Sequence, residues 1–150
     1  MMALTEAVAT SITLTRRETT TATRPINRVW LGPAETRQLV QGAAHYQSAL
    51  LRLQPGPGEF LLIIGAGNRN DEKAVHVLHN GRTVIGYLSP LYAAPIGEVL
   101  KRLKADGIEL WVDGRVNDAV NPRRTVTIAG QHLARLKAQI RAWQELADRP

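Results

Sequence analysis

The sequence predicts an α+β fold built on a small, curved antiparallel sheet. Several short runs of apolar and β-branched residues are separated by turn residues, which is typical of strands. Longer segments repeat apolar residues at helical spacing, and an Asn80-Gly81 dipeptide between two apolar runs is a strong hairpin signal. At 150 residues the chain is long enough to bury one core, so we expect a single ordered domain.

Residues 1–25 are predicted to form a flexible, basic, Thr-rich arm. The stretch TLTRRETTTATRP has few large apolar residues, so it buries too little surface to fold alone. The alternation over residues 12–15 would allow part of the arm to pair as an edge strand. Residues 26–129 are expected to form the folded domain, and residues 130–150 a C-terminal helix.

The folded domain is predicted to begin with two strands and a short helix. NRVWLG (27–32) and TRQLVQG (36–42) are short runs that end in glycine. AAHYQSALLRL then carries apolar side chains at helical spacing. QPGPGE (54–59), with two prolines and two glycines, is predicted to be a surface turn.

The centre of the chain is predicted to contain a buried strand, a hairpin and a longer helix. FLLII (60–64) is a continuous apolar run, and KAVHVLHNGRTVIGYL supplies two strands around Asn80-Gly81. A type I′ turn there requires positive φ at both central residues. In PLYAAPIGEVLKRLK one helical face is apolar, and Gly107 follows as a C-cap. The members of that face are Ile96, Val99, Leu100 and Leu103.

The last third is predicted to hold two strands and the tail helix. IELWV (108–112) and RRTVTIA (123–129) read as strands joined by a loop, DGRVNDAVNP. The tail, AGQHLARLKAQIRAWQELADRP, carries an apolar stripe that would either cover the domain or meet a second copy of the chain. The stripe consists of Leu133, Leu136, Ile140 and Trp143.

The composition limits the cellular compartments and the classes of binding partner that we expect. The absence of cysteine excludes disulfides and thiolate metal sites, and it fits a reducing cytoplasm. We expect no secretory signal in MMALTEAVAT and no membrane partner, since no apolar segment approaches the roughly 20 residues of a membrane helix. The net charge of +6 favours polyanionic partners, because Lys and Arg contacts to phosphates release counterions.

The segment that follows the buried strand begins like a dinucleotide-binding loop, with Gly65 and Gly67. Such a loop needs a third glycine and then a helix, but Asn70 stands at the third position and a strand is predicted next. No Gly-Lys-Ser/Thr follows either, so we expect no nucleotide cofactor. Turn chemistry alone would explain the polar residues 68–71, because Asn and Asp bond their own backbone.

No arrangement of residues predicts catalysis, and we expect a protein that is not an enzyme and holds no metal. His76 and His79 are three apart on a strand and its turn, so they would point to opposite faces. A metal-dependent nuclease that uses Asp71 and Asp113 is the last of three alternatives, because carboxylates in loops are usually only solvated.

Three segments, taken in order, resemble a HIRAN domain, a small β-barrel module of some SNF-type DNA translocases and of free-standing bacterial and phage proteins. They are GAAHYQSAL (42–50), FLLIIGAGNRNDEKAVHV (60–77) and GRTVIGYLSPLYAAPI (81–96). Family members show a Gly-Glu-Ser-x-Tyr-Gln-like start, an apolar strand that runs into Asn-Pro-Tyr-Asp, and Val-Gly-Tyr/His-Leu before a helix. The resemblance spans about residues 37–128 and implies an SH3- or OB-like antiparallel β-barrel.

The resemblance also implies a pocket for the 3′ end of single-stranded DNA. In the family, the Asn-Pro-Tyr-Asp loop supplies an aromatic platform and a carboxylate that accepts a hydrogen bond from the terminal 3′-hydroxyl. Here Asn68 and Asp71 keep the family's residue types, whereas Arg69 and Asn70 replace the proline and the tyrosine. Because asparagine has no ring face, a stacking contribution of roughly 1–3 kcal/mol per base is lost and weak binding is expected.

Tyr46 and Tyr87 match positions where the family has an aromatic residue or histidine near the pocket. They are predicted to stack on bases, although a tyrosine in a small barrel can also serve only to bury its ring. The arginines predicted to contact phosphates are Arg69, Arg82, Arg123 and Arg124.

The resulting prediction is a non-enzymatic nucleic-acid-binding module for single-stranded DNA or DNA ends. The alternative is a protein-interaction or regulatory domain that has kept the barrel and lost the DNA pocket. In that case a protein partner or a second copy would bind through the apolar stripe of the tail helix.

Overall fold

In the computed structural model, eight strands and three helices lie within the described residues, which are 14–16, 27–32, 35–65, 74–120 and 123–147. The α+β class is therefore confirmed. The strands are β1 (Leu14–Arg16), β2 (Asn27–Leu31), β3 (Thr36–Leu39), β4 (Gly56–Ile64), β5 (Val75–His79), β6 (Thr83–Tyr87), β7 (Ile108–Val120) and β8 (Arg123–Gly130). The helices are α1 (Gln47–Leu50), which a 3₁₀ turn (Ala43–Tyr46) precedes, α2 (Pro90–Ala105) and α3 (Leu133–Ala147).

Strand β7 organises the sheet, because it is long enough to pair with three neighbours. On one edge it pairs antiparallel with β4, from Gly56↔Val116 to Leu62↔Leu110. On the other edge, β2 pairs with its first residues and β8 with its second half. Strands β5 and β6 extend the sheet beyond β4, β3 extends it beyond β8, and β1 pairs with β2.

One strand pair corrects the expectation of a wholly antiparallel sheet. Strands β2 and β7 run parallel, in the register Asn27↔Ile108 to Trp30↔Trp111, so the sheet is mixed. Parallel neighbours need a long crossover between them. Here the chain from β3 to the end of α2 supplies that crossover.

The ladders of the sheet do not close, but its two far ends meet at one isolated bridge. Gln41, just after β3, donates its amide to the carbonyl of Tyr87 at 2.8 Å and accepts the amide of Tyr87 at 3.0 Å. The amide of Val40 donates to the carbonyl of Val126 in β8 at 2.8 Å. The residues that follow β3 therefore lie between β8 and β6.

The local turn and cap predictions are confirmed. Asn80 and Gly81 have φ values of 53° and 74°, as the predicted type I′ turn between β5 and β6 requires. Gly107 has a φ of 70°, and its amide donates to the carbonyl of Lys104 at 3.0 Å, so it ends α2 as expected.

The predicted surface turn at 54–59 is wrong in its second half, because β4 already begins at Gly56. Pairing with β5 starts at Phe60↔His79, so the residues before Phe60 pair with β7 on one side. A strand that is paired on one side tolerates proline, and this explains Pro57.

The predicted loop DGRVNDAVNP is also corrected, because its first eight residues continue β7 to Val120. Asp113 and Arg115 are exposed, whereas Val112 and Val116 are buried, so the segment alternates between the two faces of the sheet. Gly114 faces inward, where a Cβ would lie 2.6 Å from the carbonyl oxygen of Thr127 and 2.8 Å from the Phe60 ring. Glycine here marks close approach of two strands rather than a turn.

The sheet buries apolar side chains on both faces. The main core lies between the inner face and helices α2 and α3, and it includes Phe60, Leu62, Val112 and Trp143. A smaller cluster on the opposite face is formed by Trp30, Leu61, Leu78 and Trp111. Within the described ranges, no helix combines the length and the hydropathy needed to cross a membrane.

Candidate functional site

The loop that carries four of the predicted site residues joins β4 to β5. Asn68, Arg69, Asn70 and Asp71 lie outside the described residues. The two ends of the loop are described, and the amide of Gly65 donates to the carbonyl of Ala74 at 3.3 Å. The loop therefore leaves and re-enters the sheet at one place, the end of the β4–β5 ladder.

Tyr87 lies at the same end of the sheet as this loop. It is the last residue of β6 and stands in one row with His76 in β5 and Ile63 in β4. The next row, Ile64↔Val75, is the last one before the loop. Because neighbouring strands lie about 4.8 Å apart, the Tyr87 backbone is on the order of 10 Å from the β4 end of the loop.

The turn that contains Tyr46 packs against β6. One side of the Tyr87 ring lies over Gly42, where a Cβ would come within 2.8 Å of the ring atom Cζ. The 3₁₀ turn starts immediately after Gly42, and Tyr46 is its last residue. Both tyrosines are half-buried.

The sequence assigns no role at the site to His76, which lies beside Tyr87 in the sheet. It is paired with Tyr87, it is 7 % exposed, and its Nδ1 atom has no hydrogen-bond partner among the described residues. Most buried polar side-chain atoms in proteins are hydrogen-bonded, and Nδ1 of His76 is an exception within the described residues. The sequence does predict that His76 lies in the strand next to that of Tyr87. The register of the two strands, which the sequence does not give, is needed to see that the two residues are paired.

His79 lies on the opposite face from His76, as predicted. Its ring meets the Phe60 ring edge-on, with 5.5 Å between the ring centroids. Burial lowers the pKa of His79, because desolvation penalises the charged imidazolium. Among the described residues, no three His, Asp or Glu side chains come close enough together to hold a metal.

The predicted phosphate contacts are divided between different parts of the molecule. Arg82 is exposed in the β5–β6 turn, at the far end of β6 from Tyr87. Five residue-to-residue steps along extended chain separate the two, or about 17 Å. Arg123 is exposed at the start of β8. The structure therefore does not bring Arg82 to the tyrosine end of the sheet.

Arg124 has a structural role that the sequence did not indicate. Its Nη1 atom donates to the carbonyls of Leu50 at 2.8 Å and Leu53 at 2.6 Å, just where α1 ends. The side chain of Gln47 completes the link, since it accepts the amide of Arg124 at 3.0 Å and donates to its carbonyl at 2.9 Å. Arg124 thus fastens α1 to β8, and a phosphate contact by this residue stays a prediction.

The apolar stripe of the tail helix covers the chain's own core. Leu136, Ile140 and Trp143 are buried, Leu133 is half-buried, and the guanidinium of Arg102 lies 5.0 Å from the centroid of the Trp143 ring. These side chains offer no continuous apolar surface to a second copy. Of the two uses predicted for the stripe, the structure shows that it covers the domain, and a homodimer through it stays a prediction.

Compared with known proteins, the chain matches no family model, no curated protein and no solved structure. The resemblance to a HIRAN domain therefore stays a prediction. What supports a function for this site is its geometry.

Proposed function

We propose that the chain is a non-enzymatic nucleic-acid-binding module that holds a single strand of DNA beside Tyr87, at or near a 3′ end. One observation supports this most strongly. The turn at 42–46, the end of β6 and both ends of the 66–73 loop meet at one end of the sheet. These are the segments to which the resemblance assigns the strand-end pocket.

Each part of this site has a defined chemical task in the proposal. Tyr87 and Tyr46 offer ring surface on which bases stack, and Asp71 accepts a hydrogen bond from the terminal 3′-hydroxyl. Asn68 reads the strand end together with Asp71, Arg69 contacts a phosphate, and Asn70 supplies no ring. Weak affinity is the expected consequence.

We further propose that the sheet closes into a small barrel of the SH3 or OB type. The Gln41–Tyr87 bridge supports closure, because it joins the β3 end of the sheet to β6 by two hydrogen bonds. Closure would leave β3 and β6 without free edges. It would also hold Tyr87 and the turn at 42–46 in fixed relation.

Fluorescence anisotropy with a short labelled oligonucleotide tests the proposed function. We expect tighter binding to a free 3′-hydroxyl than to a blocked one, and a steep loss of affinity between about 50 and 200 mM salt. Equal binding of both oligonucleotides would leave a basic surface without end recognition. Absence of binding at both salt concentrations would contradict the proposal and favour a protein partner.

Matched variants in the same assay distinguish the contribution of the Tyr87 ring to binding from that of arginine charge and from effects on the fold. Tyr87→Ala should weaken binding by roughly 1–3 kcal/mol, whereas Tyr87→Phe keeps the stacking face and most of the affinity. Arg123→Ala should lower the salt slope by about 1 without a change in stability, because the side chain is exposed. Arg124→Ala is not a suitable test of phosphate binding, since it also frees the carbonyls of Leu50 and Leu53.

A further inference from the structure

We propose that the bound strand continues from Tyr87 along the exposed face of β3 and ends in a second subsite between Arg37 and Arg115. The inference rests on the proposed function and extends it by assigning the path of the strand and the number of nucleotides it engages.

The exposed face of β3 connects the two places. Arg37, Leu39 and Gln41 are all exposed and alternate with less exposed residues, so they share one face of the sheet. The last of them is the residue that bridges to Tyr87. Four residues of extended chain span about 13 Å, so the path from Tyr87 to Arg37 is long enough for more than one nucleotide.

Leu39 gives this path an apolar contact for a base. Its side chain is 54 % exposed, which makes it one of the most exposed large apolar residues of the described chain. It stands midway between Gln41 and Arg37, opposite Thr127 in β8. A base laid on Leu39 would bury its apolar surface and that of the leucine together.

A depression with a volume of about 230 Å³ opens beyond Leu39. Arg37 is opposite Ala129, and Arg115 is opposite Thr127, so the two small side chains of β8 lie between the two arginines. Both arginines are exposed and line the depression. Two small side chains between two long cationic ones leave room for a negatively charged group that enters from solvent.

The charge and size of the depression favour a sugar-phosphate unit. The charged groups that line the depression are two guanidinium groups and one carboxylate, that of Asp113. Guanidinium groups bind phosphate oxygens in a bidentate manner, and a carboxylate can accept from a sugar hydroxyl or a base amino group. The depression is smaller than the about 300–1,000 Å³ of pockets for drug-sized ligands, which argues against a larger organic ligand.

Helix α3 provides matched cations away from this path. Arg141 is exposed on α3, whose buried side packs on the inner face of the sheet. Arg37, Leu39 and Arg115 are on the outer face. Arg141→Ala therefore removes the same charge as Arg37→Ala or Arg115→Ala and leaves the proposed path intact.

The test compares two lengths of single-stranded DNA with free 3′-hydroxyls on the full chain. The lengths are about 3 nucleotides, which is shorter than the site of one small barrel, and about 10 nucleotides, which is within the usual site size of about 4–16. We expect Arg37→Ala and Arg115→Ala each to lower the salt slope for the longer strand by about 1 and to weaken its binding several-fold. Binding of the shorter strand should stay unchanged, as should binding of both strands by Arg141→Ala.

The outcomes distinguish the path from the proposed function. If both variants bind the longer strand like the wild type while Tyr87→Ala still weakens it, the path is wrong and the strand-end site stands. Equal losses for both lengths would also overturn a separate subsite. If the unmodified chain binds neither strand, the path and the proposed function fail together. Competition by inorganic phosphate alone would show a free-anion site in place of a strand path, and urea unfolding of each variant checks that its fold is retained.

Discussion

Gly42 shows how the absence of a side chain at one residue positions the side chain of another. Its φ of 74° lies in the left-handed region, and the Tyr87 ring occupies the space where its Cβ would be. Gly86, next to Tyr87, has a φ of 152°, and a Cβ there would meet the carbonyl oxygen of Gln41. Two glycines thus allow β6 and the chain after β3 to approach closely enough to bridge.

Gly42→Ala should destabilise the protein by more than the backbone strain alone. Strain in the left-handed region costs about 1–2 kcal/mol, and overlap with the Tyr87 ring adds to it. Gly107→Ala is the matched control, because its φ is 70° and no atom lies within 4 Å of its Cβ position. Urea unfolding measures both. Equal losses in the two variants, or an excess that persists when Tyr87 is also changed to Ala, would contradict the ring contact.

At the scale of elements, helix α3 serves the core of its own chain. Trp143 is fully buried and belongs to the cluster that also contains Phe60 and Val112 of the sheet. On its other side, Arg102 of α2 stacks its guanidinium over the indole ring. The same apolar stripe that could have served a partner is therefore used to close the inner face of the sheet.

Trp143→Ala should cost about 3–5 kcal/mol of stability, because it removes a large buried ring and leaves a cavity. Leu146→Ala, on the same helix but with 48 % of its side chain exposed, should change stability by less than about 0.5 kcal/mol. Chemical unfolding and size-exclusion chromatography at one protein concentration check both variants. A Trp143→Ala protein of unchanged stability but smaller assembly size would restore the interface interpretation.

For the whole molecule, the proposed barrel depends on the bridge between Gln41 and Tyr87. The described ladders run from β3 through β8, β7, β4 and β5 to β6, and the bridge joins the two ends of this path. A closed sheet holds its last hydrogen bonds as firmly as its interior ones, whereas an open one frays at its ends.

Native-state hydrogen exchange distinguishes the two arrangements. In a closed barrel the amides of Gln41 and Tyr87 should exchange as slowly as those of the β4–β5 ladder, because they open only with the whole sheet. The amide of Thr15 in the edge strand β1 provides the fast-exchanging comparison. Exchange of Gln41 and Tyr87 at the rate of Thr15 would show that the sheet is open and would remove support for the barrel.

The features that the sequence predicted correctly depend on nearby residues. The turn at Asn80-Gly81, the end of α2 at Gly107 and the buried stripe of α3 follow from turn chemistry, capping and helical spacing. The errors at Pro57 and Gly114 arose because both residues were interpreted as turn residues. Each is accommodated in a strand by its neighbours across the sheet, which lie 14 to 58 residues away along the chain and could not be identified from it.

Local sequence patterns were enough to predict the α+β class and most strands and helices, and the family resemblance supplied the tyrosines and the loop on which the proposed site depends. Only the folded chain shows the parallel β2–β7 pair, the contacts of Arg124 with the end of α1, and the depression that Arg37 and Arg115 both line. The difference lies in how far apart along the chain the interacting residues are. Backbone preferences and side-chain periodicity act over a few residues, whereas the pairing of β2 with β7 and of β3 with β8 joins residues 81 to 94 apart, which no local pattern identifies as partners.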